Sequence, residues 1–411
     1  MSAEHTLNAF FRHEYGRLVA SLCRRFGVEH LESVEDAAQS ALLKALESWA
    51  PATPPEHARA WLYTAAKNAL IDQFRARSRH NAWLEKHGEK DASASLESPP
   101  DDDADLLRML FVCCHESLAP ELQCALALKT LCGFSTKEVA VRVFASEANV
   151  YKRLQRARTK LRDTASTLGA LREGDNRRRV GAVRRVLYML YSEGYLSSHQ
   201  SFAIRAELCD EAIRLCTLLV QHPFGDEPES YALLALMHLN RARLPARKSV
   251  DFELMLLAEQ DRSLWEQERV GEGLRWLSRS AQGDAFTRYH AEAGIAALHC
   301  LSPDLESTRW DEIARLYEMI EALEPSPMHR LNRALAVAES STPEAGLSLL
   351  ADVDFPEWLQ GSYLLDATLA DLNRRSGHQE AFTRHRERAL AGAPTNAIRA
   401  ALTRRFESPR D

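Results

Sequence analysis

Apolar residues recur along this chain at spacings of three and four and seldom alternate with polar ones. That period fits the 3.6-residue turn of an amphipathic helix and argues against half-buried strands. No Asn-Gly or Asp-Gly pair is present to close a tight hairpin. The pattern predicts an all-α fold. At 411 residues the chain is too long for one ordinary domain. A 45% hydrophobic share supplies apolar surface for several cores.

Breaks in the pattern divide the chain. Residues 1–85 form a first helical block. Residues 86–105 form a linker, and the run DASASLESPPDDDAD at 91–105 holds six acidic residues, no basic ones and two prolines. Such a run cannot bury a core. A second block spans 106–170, and LREGDNRRR at 171–179 is expected to be a hinge. Residues 180–411 form a long series of helices broken by Pro, Gly and Ser. No apolar run approaches the ~20 residues that cross a bilayer. The first residues are polar and mixed in charge, unlike a signal peptide. Eight cysteines without framework spacing fit a reducing compartment. The chain is expected in the cytoplasm, with no membrane partner. Its net charge of −6 excludes a uniformly basic coat but leaves room for local basic faces.

The second block holds the most informative segment, STKEVAVRVFASEANVYKRLQRARTKLR at 135–162. Ser135 with Glu138 makes a capping box that starts one helix. Phe144 and Ala145 form a short turn, and Ser146 caps a second helix. Two helices joined so tightly read as helix-turn-helix. On the second helix Val150, Leu154, Ala157 and Leu161 form an apolar stripe. Asn149, Lys152, Arg156 and Lys160 gather on another face. Residues 147–162 carry six basic residues against one acidic. Asn and Arg read base edges, while Lys and Arg hold phosphates. A solvated basic helix is the plainer alternative.

The first block repeats the theme. SVEDAAQSALLKALESW at 33–49 forms an amphipathic helix. Val34, Ala37, Ala38, Ala41, Leu42 and Ala45 face inward, and Asp36, Gln39, Leu43 and Glu47 share the outer face. Three prolines in APATPPEHA force a loop. The helix ARAWLYTAAKNALIDQFRARSRH follows, with Thr64, Asn68, Asp72 and Arg75 on one stripe, Trp61 beside them, and Arg77 and Arg79 extending its basic end. Aromatic, amide and guanidinium groups together can hold unstacked bases. Core packing is the plainer reading of Trp61 and Tyr63.

These three segments, in this order, resemble region 2 and region 4 of the extracytoplasmic-function sigma factors, and the resemblance covers residues 1 to about 170. It implies that Asp36, Gln39, Leu43 and Glu47 face core RNA polymerase at the clamp helices of the β′ subunit, with a further contact to the β flap. Trp61, Thr64, Asn68, Asp72, Arg75 and Arg77 would bind the −10 element, with the loop from Ser48 to His57 capturing a flipped base. Asn149, Lys152, Arg153, Arg156 and Lys160 would bind the −35 element. The acidic linker would pass into the polymerase channel as a mimic of nucleic acid. The loop is richer in Pro than the family pattern, which leaves base preference open.

The C-terminal part resembles the subgroup with a tetratricopeptide-like extension. Candidate helix pairs are 328–339 with 343–351 and 358–375 with 378–391, a spacing near the 34-residue repeat. Such hairpins bury their faces only by stacking into a solenoid, whose concave surface suits a protein regulator. Tyr191, Glu193, Gly194 and Tyr195 are a candidate interdomain interface, with a helix end packed by tyrosines as the plainer alternative.

Cys113, Cys114, Cys124, Cys132 and His115 match no zinc spacing. No phosphate-cradling loop, nucleophile elbow or HExxH appears. Neither an enzyme nor a cofactor or metal is expected. The expected function is promoter-specific initiation with core polymerase, modulated by the C-terminal domain. The alternatives are a helix-turn-helix regulator with a helical sensor domain and a repeat-type scaffold. The region 2 resemblance weighs against the first, the intact recognition helix against the second.

Overall fold

The computed structural model describes the chain apart from residues 1–2, 50–54, 81–101, 144, 169–172, 198–203, 248–253, 352 and 408–411, with backbone alone at 3–13, 77–80, 102, 165–168 and 173–175. The described residues are helical and contain no strand. They divide into two compact units, 1–190 and 191–411.

The first unit opens with α1 (Ala3–Phe26), α2 (Leu31–Trp49) and α3 (Ala58–His80). Gly27 ends α1 at φ 96°, a left-handed conformation that favours glycine. Next come α4 (Asp102–Cys113), α5 (Pro120–Thr130), α6 (Thr136–Arg142) and α7 (Glu147–Leu168). Three of these starts have a local cause. Pro120 occupies the first turn of α5, where its missing N–H costs nothing. Ser135 and Glu138 close both arms of their capping box at α6, with N–O distances of 2.7 and 3.2 Å. Ser146 accepts from the Asn149 N–H at 3.3 Å at the start of α7. Val139 and Ala140 of α6 pack inward with Val150, Leu154, Ala157 and Leu161 of α7.

Helix α8 (Glu173–Tyr195) replaces most of the expected hinge. Its Arg179 is 3% exposed and grips Glu116 with two hydrogen bonds, at 2.6 and 3.2 Å. A buried guanidinium held in a fork fixes this part of the segment as helix. The unit boundary falls inside α8, after Leu190.

The second unit continues with α9 (Ala206–Gln221), α10 (Pro228–Ala242), α11 (Gln267–Ser280), α12 (Arg288–Leu301) and α13 (Trp310–Leu323). It ends with α14 (Pro327–Ser340), α15 (Pro343–Leu350), α16 (Glu357–Gln360), α17 (Tyr363–Arg375), α18 (Gln379–Ala391) and α19 (Asn396–Glu407). The expected pairs appear as α14 with α15 and α17 with α18. The expected helix 358–375 is split at Gly361–Ser362, because Ser362 caps α17 through the Leu364 N–H at 3.3 Å. Three small cores follow one another. Ala336 of α14 belongs to the core of α12 and α13, whereas Leu331, Ala334 and Ala338 pack with α15 and α17. Leu365 and Leu372 of α17 join that second core, while Ala370 joins the core of α18 and α19. A helix that serves two successive cores is how stacked hairpins bury faces that neither could bury alone.

Candidate nucleic-acid interface

Helix α7 is sorted by burial. Val150, Leu154, Ala157 and Leu161 are at most 2% exposed. At about 100° per residue, Asn149, Lys152, Arg156 and Lys160 fall on one arc to one side of that stripe. All four are exposed, and Arg153 at the edge is half-buried. The arc combines an amide that can read a base edge with three cations able to hold phosphates. Tyr151, 62% exposed on the same helix, lies outside the arc and was not anticipated.

Helix α3 is sorted in the same way. Leu62, Ala66 and Leu70 are buried, and Thr64, Asn68, Asp72 and Arg75 are exposed along the other side. Asp72 and Arg75 make an exposed ion pair at 3.8 Å, which holds them only weakly against a ligand. Trp61 is half-buried. Its ring meets Trp49 at 5.4 Å and packs on the small core of Ala45, Trp49 and Leu62. The Arg77 side chain and residues 50–54 of the candidate base-capturing loop lie outside the described residues, as do residues 86–101 of the linker.

On α2, Asp36, Gln39, Leu43 and Glu47 are all exposed, Leu43 to 60%. Val34, Ala37, Ala38, Ala41 and Ala45 on the other side are buried. Sequence reasoning passed over Glu35, which is 2% exposed. Its carboxylate accepts from the Thr130 hydroxyl at 2.6 Å and from Arg158 at 2.5 Å. An acidic residue beside Val34, on the inward side of an apolar stripe, was the available signal.

Burial pushes the thiols of Cys23, Cys113, Cys114 and Cys124 upward, so they remain protonated core groups. His115 is occupied by Ser117 at 2.8 Å. Among the described residues no three His, Cys, Asp or Glu side chains are placed to hold a metal ion.

Tyr191, Glu193 and Tyr195 lie in the second unit. The Tyr191 hydroxyl donates to the Met237 carbonyl at 3.0 Å. Glu193 has no exposed surface, accepts from Ser197 at 2.6 Å and faces Arg205 at 3.7 Å. Tyr195 stacks on Tyr191, with the Arg247 guanidinium 3.7 Å from its ring centre. A Cβ on Gly194 would lie 2.7 Å from the Cys209 backbone nitrogen, so only glycine admits this approach of α9 to α8.

The first unit carries helices with exposed polar faces and opposed apolar stripes, and the comparisons place it in the sigma class of promoter-recognising transcription factors. Residues 11–80 match sigma-70 region 2 and residues 108–161 match sigma-70 region 4. The ECF RNA polymerase sigma factor SigL of Mycobacterium tuberculosis is 33% identical over 147 residues, 34% of this chain and 77% of SigL. The chain belongs to the extracytoplasmic-function RNA polymerase sigma factors. It is therefore a promoter-recognising sigma factor that binds core RNA polymerase and promoter DNA, in a family of non-enzymatic regulators.

Residues 179–281 match DUF6596, a family of unknown function. An uncharacterized protein of Rhizobium meliloti (strain 1021) is 34% identical over 397 residues, 94% of this chain and 91% of that protein, so the similarity extends through the C-terminal unit. No solved structure matches the chain. Among the described residues, no helix is long and apolar enough to cross a membrane.

Proposed function

We propose that the exposed arc of α7 reads the −35 element and the exposed stripe of α3 holds the melted −10 strand. Asp36, Gln39, Leu43 and Glu47 dock on the clamp helices of the polymerase β′ subunit, and the region 4 block meets the β flap. One observation carries this reading: every described candidate on α2, α3 and α7 is exposed except Trp61 and Arg153, while the stripes opposite them (Val34, Ala37, Ala38, Ala41 and Ala45; Leu62, Ala66 and Leu70; Val150, Leu154, Ala157 and Leu161) are buried. Trp61 is better read as a core residue that steadies the start of α3. Asn68 and Asp72 flank the place of a flipped base, whose extrusion costs a few kcal/mol that stacking and edge hydrogen bonds must offset. The chain works in the cytoplasm, and its C-terminal unit modulates initiation through a protein regulator.

The test is in-vitro transcription by the full chain with core polymerase on promoter DNA recovered by genomic selection. Lys152→Ala with Arg156→Ala should weaken promoter binding. The log–log salt slope should fall by roughly two, about 0.9 for each lost phosphate contact. An unchanged slope removes these residues from the −35 interface. Binding that is equally tight without core, and never followed by initiation, supports a duplex-binding regulator instead.

A further inference from the structure

The geometry points to a binding site for a small oxyanion in the second unit, where Arg243, Arg262, Trp265 and His299 meet. Arg243 is the C-cap residue of α10. Arg262 opens a single helical turn, Arg262–Leu264, and Trp265 closes it. His299 lies in the last turn of α12. None of the four belongs to the proposed polymerase or promoter contacts.

Both arginines stack on one ring. The guanidinium carbon of Arg243 lies 5.3 Å from the Trp265 ring centre, and that of Arg262 lies 4.8 Å from it. Arg262 also donates to the His299 carbonyl at 3.0 Å and to the Ser302 carbonyl at 2.5 Å. Those two bonds have a plain purpose, since a cation suits the last carbonyls of a helix. They use only Nη1 of Arg262. Its Nη2, Nε of Arg243, Nε1 of Trp265 and Nδ1 of His299 are all buried without a hydrogen-bond partner in the protein. Arg243 is 7% exposed and Trp265 only 3%. Buried donors are normally satisfied, so four unsatisfied ones around one ring call for a common explanation.

Charge points the same way. Among the described residues, neither arginine has a carboxylate within ion-pair distance. Asp304 acts on Arg262 from further off, and its carboxylate accepts from the Ser307 N–H and hydroxyl at 2.7 and 2.6 Å. Glu292 and Arg243 both act on Tyr317, but Glu292 accepts from Arg288 at 2.6 Å. Two cations therefore share this place without a balancing anion. Burial, reinforced by both arginines, keeps His299 neutral, and a neutral ring can donate through Nδ1 in one tautomer.

A dianion balances two guanidinium groups. Their planar forks fit the oxygens of phosphate or carboxylate, and the two ring N–H groups add neutral bonds to the same oxygens. The ligand is a phosphate monoester or a dicarboxylate. Arg262, His299 and Cys300 are only part-buried, so it can enter from the surface. Bound there, it ties the end of α10 to the end of α12.

The test titrates inorganic phosphate and, separately, succinate into the full chain in chloride buffer, followed by calorimetry. At least one should bind saturably, once per chain, and raise the thermal midpoint. Phosphate alone indicates a phosphate monoester, and succinate alone a dicarboxylate. Arg243→Met should lower the affinity at least about tenfold, because it removes a charged donor. Without added anion it should leave the thermal midpoint unchanged or raise it, since it removes a buried charge that no carboxylate balances. Trp265→Phe keeps an aromatic ring but removes the N–H, and should weaken binding about fivefold. In the bound form His299 should titrate above its free value of about 3, followed by nuclear magnetic resonance. Lys152→Ala with Arg156→Ala should bind as the parent does, which separates this site from the promoter face.

No saturable binding of either anion, or parent-like binding by both Arg243→Met and Trp265→Phe, overturns the site. Binding that is lost in the α7 double variant places the anion on the promoter face and overturns it as well. A lower midpoint for Arg243→Met without anion, joined to unaltered binding by Trp265→Phe, makes the cluster a structural stack alone.

Discussion

Single residues in this chain owe their behaviour to what surrounds them. Glu35 and Asp36 are adjacent carboxylates, yet one is buried against Thr130 and Arg158 and the other faces solvent. His299 shows the same dependence. Burial, reinforced by Arg243 and Arg262, pushes it down from 6.5 to about 3. The folded chain therefore holds it neutral, while the unfolded chain protonates it below about 6.5. Its contribution to stability is complete above that value and is lost as pH falls towards 3. Desolvation takes His238 down to about 4, with the same sign. The thermal midpoint of the second unit should fall between about pH 7.5 and about pH 5, and His299→Gln should reduce that fall. A parent and variant with identical pH dependence would exclude His299 as a source.

At the level of elements, local chemistry explains several helix starts. The Ser135–Glu138 box, the Ser146 cap and the prolines of α5, α10, α14 and α15 each act within one turn. Ser135→Ala should cost about 1 kcal/mol and fray the start of α6. The loss should appear in the denaturation midpoint and as weaker −35 duplex binding, because α6 props α7. Unaltered stability would mean that packing of Val139 and Ala140 alone fixes this helix. The basic arc of α7 was legible for the same local reason, since a 3.6-residue period separates it from its apolar stripe. The expected hinge at 171–179 was misread because a run of Gly, Asp, Asn and Arg looks solvated. Only the distant Glu116 makes Arg179 a buried anchor.

For the whole molecule, the proposed −10 and −35 contacts act together through one chain. Linking them raises the effective concentration of the second contact once the first is made. Their angular relation on DNA then matters as much as their separation. Inserting about five base pairs between the two elements turns one to the opposite side of the duplex, at about 10.5 per turn. Initiation should fall at least about tenfold, and about ten inserted pairs should restore part of it. Equal initiation from all three spacings would mean that a single element suffices.

Sequence alone determined the helical period, the caps, the order of the sigma regions and the exposed faces of α2, α3 and α7. Each depends on residues within a few turns of one another, where spacing dictates geometry. Only the tertiary structure decided what those faces meet. Glu35 finds Arg158 across 123 residues, Tyr191 reaches the Met237 carbonyl across 46, and Trp61 turns against Trp49. A helical period says that a side chain points inward; the partner awaiting it depends on how distant helices pack, which no local spacing encodes.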